Sequence, residues 1–226
     1  MSNDDIHLWV RNAVKGNVGF LVLPAFICSL PSLISGLISH FSPGFLPAPL
    51  EWALDFVSSF MRLGAICVAL KLIHTGEQDL TALTTPFRSP WIGKAIVVVF
   101  FLSLWPVFKT ILPDKGLAGI ALNLVDIVIT TILFPVRYIL FFFPDWPVGK
   151  VIWDGLRTGY SNLANILNFQ IILGIPMLFM ILLITFSSLF GTLAVPIVIA
   201  GFAAIVAYGG YINFACTKYA MERFMK

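Results

Sequence analysis

The sequence predicts an all-α, polytopic transmembrane helical bundle, and three observations predict it. Of 226 residues, 59% are hydrophobic and only 11% are charged, whereas an average soluble domain carries about 25% charged residues. Mean hydropathy is +0.95. The apolar residues fall in solid runs, such as LVLPAFICSLPSLISGLI at 21–38. So few charges cannot cover a soluble surface of this size. The same hydrophobicity excludes disorder, and runs without period-two alternation exclude a transmembrane β-barrel.

Crossing the hydrocarbon core takes ~20 mostly apolar residues. Six stretches qualify, at about 18–41, 52–73, 92–112, 117–143, 169–190 and 193–217. The first is longer than the ~7–15 apolar residues of a signal peptide. It follows Asp4 and Asp5 and precedes no A-x-A site, so a retained span is expected. The fourth is long enough to tilt or to pass the interface.

Between the spans, two segments have the pattern of interfacial amphipathic helices. At 6–14, Ile6, Trp9, Val10 and Ala13 recur at helical spacing, with His7, Arg11 and Asn12 elsewhere. At 148–167, Val148, Ile152, Leu156, Leu163 and Leu167 form a stripe beside Trp153 and Tyr160, opposite Asp154, Arg157, Thr158, Ser161 and Asn162. Such helices lie in the headgroup plane or pack on the bundle, and Trp and Tyr favour the first placement. The most polar stretch, HTGEQDLTALTTPFR at 74–88, is expected to hold a short turn that Asp79 or Thr81 caps and Pro86 ends.

Lys and Arg near span ends stay cytoplasmic. Arg11, Lys15, Lys71, Arg88, Lys94, Arg137, Lys150, Arg157, Lys218, Arg223 and Lys226 would share one side, against Lys109 and Lys115 on the other. Both termini are therefore expected in the cytoplasm. The compact design suits a bacterial inner membrane.

Familiar chemistry is missing. There is no P-loop, GxGxxG, HExxH or GxSxG. His7, His40 and His74 are far apart, and Cys28, Cys67 and Cys216 form no CxxC and no Cys–His pair at ligand spacing. They are expected to be packing residues. No catalytic residue, cofactor or metal is expected. The net charge of +3 is too small and too scattered for a nucleic-acid partner. The expected partners are the lipid bilayer and either another membrane protein or further copies of the chain.

The informative residues are ionisable groups within spans, since an Arg or Asp at mid-bilayer costs roughly 2.5–3.5 kcal/mol. Arg62 lies mid-way along the second span. Asp55, seven residues earlier, shares its face. Asp126 in the fourth span reaches a similar depth, with Asn123 one turn before it. These four form the candidate buried polar network Asp55–Arg62–Asn123–Asp126, read as a helix-pairing device or as part of a solute path. Arg137 is expected to snorkel to the cytoplasmic interface. Pro24, Pro31, Pro106, Pro135, Pro176 and Pro196 fall within spans and predict kinks. KGNVGFL at 15–21 and YSNLANIL at 160–167 each join an amphipathic segment to a helical hairpin, as a weak parallel duplication would.

The stretch MRLGAICVALKLIHTGEQDLTALTTPF at 61–87 resembles the end of the first hairpin in a group of poorly characterised bacterial multi-pass membrane proteins. These are similar to the membrane domain that precedes some glycerophosphodiester phosphodiesterases. Arg137-Tyr138, FFFPDWPVGK at 141–150, WDGLRTGYSNL at 153–163 and VAYGGYINFA at 206–215 match the same group. The resemblance implies a six-helix integral membrane protein without known chemistry, and the phosphodiesterase activity is not expected to carry over. Two functions follow as expectations: a non-enzymatic scaffold, assembly or membrane-homeostasis component, or a small oligomeric transporter or channel with a polar site at Arg62 and Asp126. The second requires a polar cavity beside Arg62.

Overall fold

Among the described residues the apolar runs are mostly helix. A computed structural model of the chain describes residues 3–41, 48–109, 111–112, 116–187 and 194–225. In order these form α1 (Asn3–Lys15), α2 (Val18–Phe41), α3 (Ala48–Thr75), a 3-10 segment (Leu80–Phe87), α4 (Trp91–Lys109), α5 (Gly116–Leu133), α6 (Val136–Phe142), α7 (Val148–Ser161), α8 (Leu163–Thr185) and α9 (Ala194–Phe224). Among the described residues there is no strand. Five stretches are long and apolar enough to cross a membrane: Trp52–Thr75, Trp91–Lys109, Gly116–Phe142, Leu163–Thr185 and Pro196–Phe224. A sixth is added if Asp5–Lys15 and Val18–Pro31, which meet at a bend of 100°, count as one span. The chain is an all-α, multi-pass bundle.

Three boundaries differ from the sequence reading for local reasons. The fourth span is two helices, because Pro135 has no N–H to continue the ladder. The chain restarts there, with the amides of Tyr138 and Ile139 both donating to the Pro135 carbonyl at 3.0 Å. The second amphipathic helix stops at Ser161 instead of 167, and the fifth span begins at Leu163 instead of 169. Asn162 sits at φ −113°, ψ 16° between them, so Leu163 and Leu167 belong to the spanning helix. The last span continues past 217 to Phe224. The ends of the fifth and sixth predicted spans at 188–190 and 193 lie outside the described residues.

The centre of the bundle is built on α3 and α9. Helix α3 packs on α2, α4, α9 and the 3-10 segment, while α9 packs on α1, α2, α3 and α8. Lipid tails remove most of the hydrophobic drive between spans, so close packing and polar bonds hold them. The Asn213 amide donates to the Ala65 carbonyl at 3.0 Å and joins α9 to α3. The Ser58 hydroxyl donates to the Cys28 carbonyl at 2.9 Å and joins α3 to α2. The three thiols are free and buried.

The amphipathic helices pack on one end of this bundle, the end that carries the 3-10 segment. Ile6 and Val10 of α1 are fully buried, His7 stacks on Phe169 and Trp9 on Phe214. That stripe is therefore spent on protein, and Leu8 is the large apolar side chain α1 leaves exposed. Helix α7 buries Val151, Gly155 and Gly159 and turns Trp153 and Tyr160 outward. Asp79 caps the 3-10 segment by accepting the Thr81 amide at 2.8 Å. It also pairs with Lys71 at 2.5 Å, which ties the segment to the end of α3.

Candidate functional site

A repeating set of polar residues on α3 positions the site. Asp55, Ser58, Ser59 and Arg62 stand at intervals of three and four, so they share one helix face. Arg62 lies ten residues after Trp52 and thirteen before Thr75, about 15 Å and about 20 Å along the axis. That is the middle of a core ~30 Å thick.

This face is tied to α2 through Ser58. It borders a cavity of about 530 Å³ between α3, α4 and α6. Trp52, Asp55, Phe56, Ser58, Ser59, Arg62 and Leu63 line it from α3, Phe100, Leu102, Ser103, Pro106 and Val107 from α4, and Arg137 from α6. Trp52, Asp55 and Arg62 are all exposed, so the cavity is open. Beyond Arg62 toward the 3-10 end, Leu63 and Ile66 of α3 and Val136, Ile139 and Leu140 of α6 are buried in one apolar cluster. Trp52 marks the end of the cavity away from the 3-10 segment, its mouth, and the two arginines mark the other end, its floor.

The floor is cationic. Arg62 and Arg137 are near enough for their charges to interact, yet among the described residues no ion pair joins either to a carboxylate. Asp55 lines the same cavity seven residues nearer the mouth, without an ion pair to Arg62. Two of the three serine hydroxyls already have acceptors in their helices or neighbours: Ser58 in α2, and Ser103 at the Val99 carbonyl at 2.8 Å.

The structure thus divides the candidate network. Asp55 and Arg62 face the cavity. Asp126 and Asn123 belong to a separate clasp between α4 and α5, which corrects the expected Arg62–Asp126 pairing. Lys109 Nζ lies 2.6 Å from Asp126 Oδ2, the Trp105 indole donates to Asp126 Oδ1 at 2.7 Å, and Lys109 donates to Asn123 Oδ1 at 3.3 Å. Each Asp126 oxygen has a donor, and the partner is Lys109, which the sequence placed at the external end of the third span. Equal depth does not imply contact, because helix rotation and neighbour order decide it. Arg137 is a second correction. Instead of reaching for the interface it lines the cavity, on α6, which packs against α3 and α4. The signal for it was an Arg two residues after an intramembrane proline.

Among the described residues no three His, Cys, Asp or Glu side chains converge as metal ligands. Comparison with protein-family models, with curated proteins and with solved structures finds no match for this chain.

Proposed function

We propose that this chain is a non-enzymatic integral membrane protein that works by binding a polar guest in the α3–α4–α6 cavity, as a small transporter or channel does. One observation carries the reading: two arginines with no carboxylate partner among the described residues line an open cavity at mid-span. Intramembrane ionisable residues mark substrate or ion paths by default, and the volume falls within the ~300–1,000 Å³ typical of ligand sites. A purely structural helix-pairing role would have spent Arg62 on a carboxylate, as Lys109 is spent on Asp126. A cavity open at one end and sealed by packed apolar residues at the other is also what one state of an alternating-access cycle requires.

In this reading the protein resides in a bacterial inner membrane with both termini cytoplasmic, so the cavity mouth faces outward. A scaffold role is the second reading, and the resemblance favours it by implying no known chemistry. Substituted-cysteine labelling separates the two. Cys28, Cys67 and Cys216 are first replaced, and Ser59→Cys and Ala69→Cys are then compared in intact cells. The expected outcome is rapid reaction of Ser59→Cys with an impermeant thiol reagent and none for the buried Ala69→Cys. A Ser59→Cys as inert as Ala69→Cys would mean a closed, dry interior and would favour the scaffold.

A further inference from the structure

Resting on that reading, the geometry of the cavity floor points to a class of guest. We infer that Arg62 and Arg137 together bind a phosphate oxyanion, carried by a phospholipid headgroup or by a soluble phosphate ester.

The argument begins with charge. Among its described lining residues the cavity holds two guanidiniums and one carboxylate, an excess of positive charge that lies at the floor. Each cation would cost roughly 2.5–3.5 kcal/mol at mid-bilayer. Two such cations lining one cavity favour a counter-anion bound between them. Asp55 does not fill that role, being about 10 Å nearer the mouth along α3 and outside ion-pair distance.

Geometry narrows the anion. One guanidinium fork saturates the two oxygens of a carboxylate, leaving a second fork without acceptors. A tetrahedral phosphate offers further oxygens and charge enough for two forks, which is why paired arginines suit it. Ser59, one turn from Arg62 on the same face, places a hydroxyl beside it.

The walls narrow the guest further. Phe56, Phe100 and Val107 line the cavity above the floor. A bare ion leaves them unused, whereas the carbon skeleton of an ester covers them. Trp52 stands at the mouth, half-exposed, at the depth where Trp meets headgroups.

The test uses the full chain in a phosphate-free maltoside detergent, with binding read by thermal melting and native mass spectrometry. The probes are short-chain phosphatidylglycerol, glycerol phosphate, inorganic phosphate, and a neutral diacylglycerol and a cationic lipid of matched chain length. The wild type is expected to melt higher with at least one phosphate-bearing probe and to gain nothing from the neutral or cationic lipids. Stabilisation by phosphatidylglycerol alone assigns the headgroup source. Stabilisation by glycerol phosphate or inorganic phosphate assigns the soluble one. Arg62→Gln and Arg137→Gln are each expected to weaken binding roughly tenfold or more. Arg62→Lys should recover part of the loss, and Arg157→Gln, on the exposed face of α7, should match wild type. Equal stabilisation by the neutral lipid, or affinity unchanged in both Gln variants, overturns the phosphate assignment and leaves a guest cavity standing. No response to any probe, together with an inert Ser59→Cys, overturns both. The wild-type comparison across probes decides the matter even if the Arg variants do not fold.

Discussion

At the residue scale, three intramembrane charges illustrate two ways of accommodating cost. Asp126 is given donors on both oxygens by Lys109 and Trp105, whereas Arg62 and Arg137 are given a cavity. The first arrangement is a structural pair, and its worth is measurable. A double-mutant cycle with Lys109→Met and Asp126→Asn should show a stabilising coupling of about 0.6–1.7 kcal/mol, the range measured for polar pairs between spans. Coupling indistinguishable from zero in detergent unfolding would mean that the clasp forms without holding α4 to α5. A second residue-scale prediction concerns Asp79, outside the spans. The hydrogen bond from Lys71 and those from the Thr81 side chain and amide hold its carboxyl down at about 2, against an ordinary 3.8. A carboxyl lowered in the folded state stabilises that state above its ordinary value. The contribution is lost as pH falls through its folded value, so the window is from about 4 down to about 2. Proteolysis of the 74–88 loop should speed up across that window in the wild type. Asp79→Asn should be susceptible already at neutral pH, with no such rise. The need for a partner at Asp126 was legible from residue type and depth. Which partner it takes was not, because Lys109 sits one helix away at a span end, where a lysine usually serves water.

At the element scale, most of the helices were legible because bilayer thickness and backbone satisfaction leave a spanning chain few alternatives. The first span, 18–41, coincides with α2, and Asp79 caps the 3-10 segment as its position in the polar loop implied. The docking of α7 was not legible. A stripe counted on bulky residues runs through Val148, Ile152 and Leu156, yet the face that meets α5 and α6 is Val151, Gly155 and Gly159. Small residues carry no hydropathy signal, although they set how closely two backbones approach. A Cβ at Gly159 would stand 2.0 Å from the Ile132 carbonyl oxygen, a backbone atom that cannot move aside. Gly159→Ala should therefore destabilise the protein by roughly 1–3 kcal/mol through overpacking, whereas Gly174→Ala, with nothing near its Cβ, should be neutral or mildly stabilising. Equal melting temperatures for the two variants would show that α7 is not docked on α5. One sequence echo also has a structural counterpart. Asn17 between α1 and α2 and Asn162 between α7 and α8 each donate a side-chain bond to the carbonyl four residues earlier, at 2.8 Å and 3.0 Å. Both junctions turn an amphipathic helix into a spanning one by the same local device.

At the scale of the whole molecule, the two ends of the bundle differ in charge, and the cavity opens toward the poorer one. The 3-10 end gathers Arg11, Lys15, Lys71, Arg88, Lys94, Lys150, Arg157, Lys218 and Arg223, all near helix ends. The opposite end shows Lys109 among its described residues, already neutralised by Asp126. The cavity itself was legible only in part. Arg62 announced a cost that had to be met, but an empty volume arises from three helices failing to close on one another, and no single stretch of sequence encodes that. The charge asymmetry, by contrast, has a direct consequence for insertion. Positively charged ends are retained in the cytoplasm, so the 3-10 end, with both chain termini, should lie inside and the arginine-floored cavity should open outside. A fluorescent reporter fused after Lys226, of a kind that matures only in the cytoplasm, should be bright. In intact cells of a cysteine-free variant, an impermeant thiol reagent should label Ile111→Cys, which is exposed between α4 and α5. It should spare Thr75→Cys at the opposite end of α3 until the membrane is opened. Reversal of both labels would put the mouth of the cavity in the cytoplasm, and any guest would then be loaded from inside.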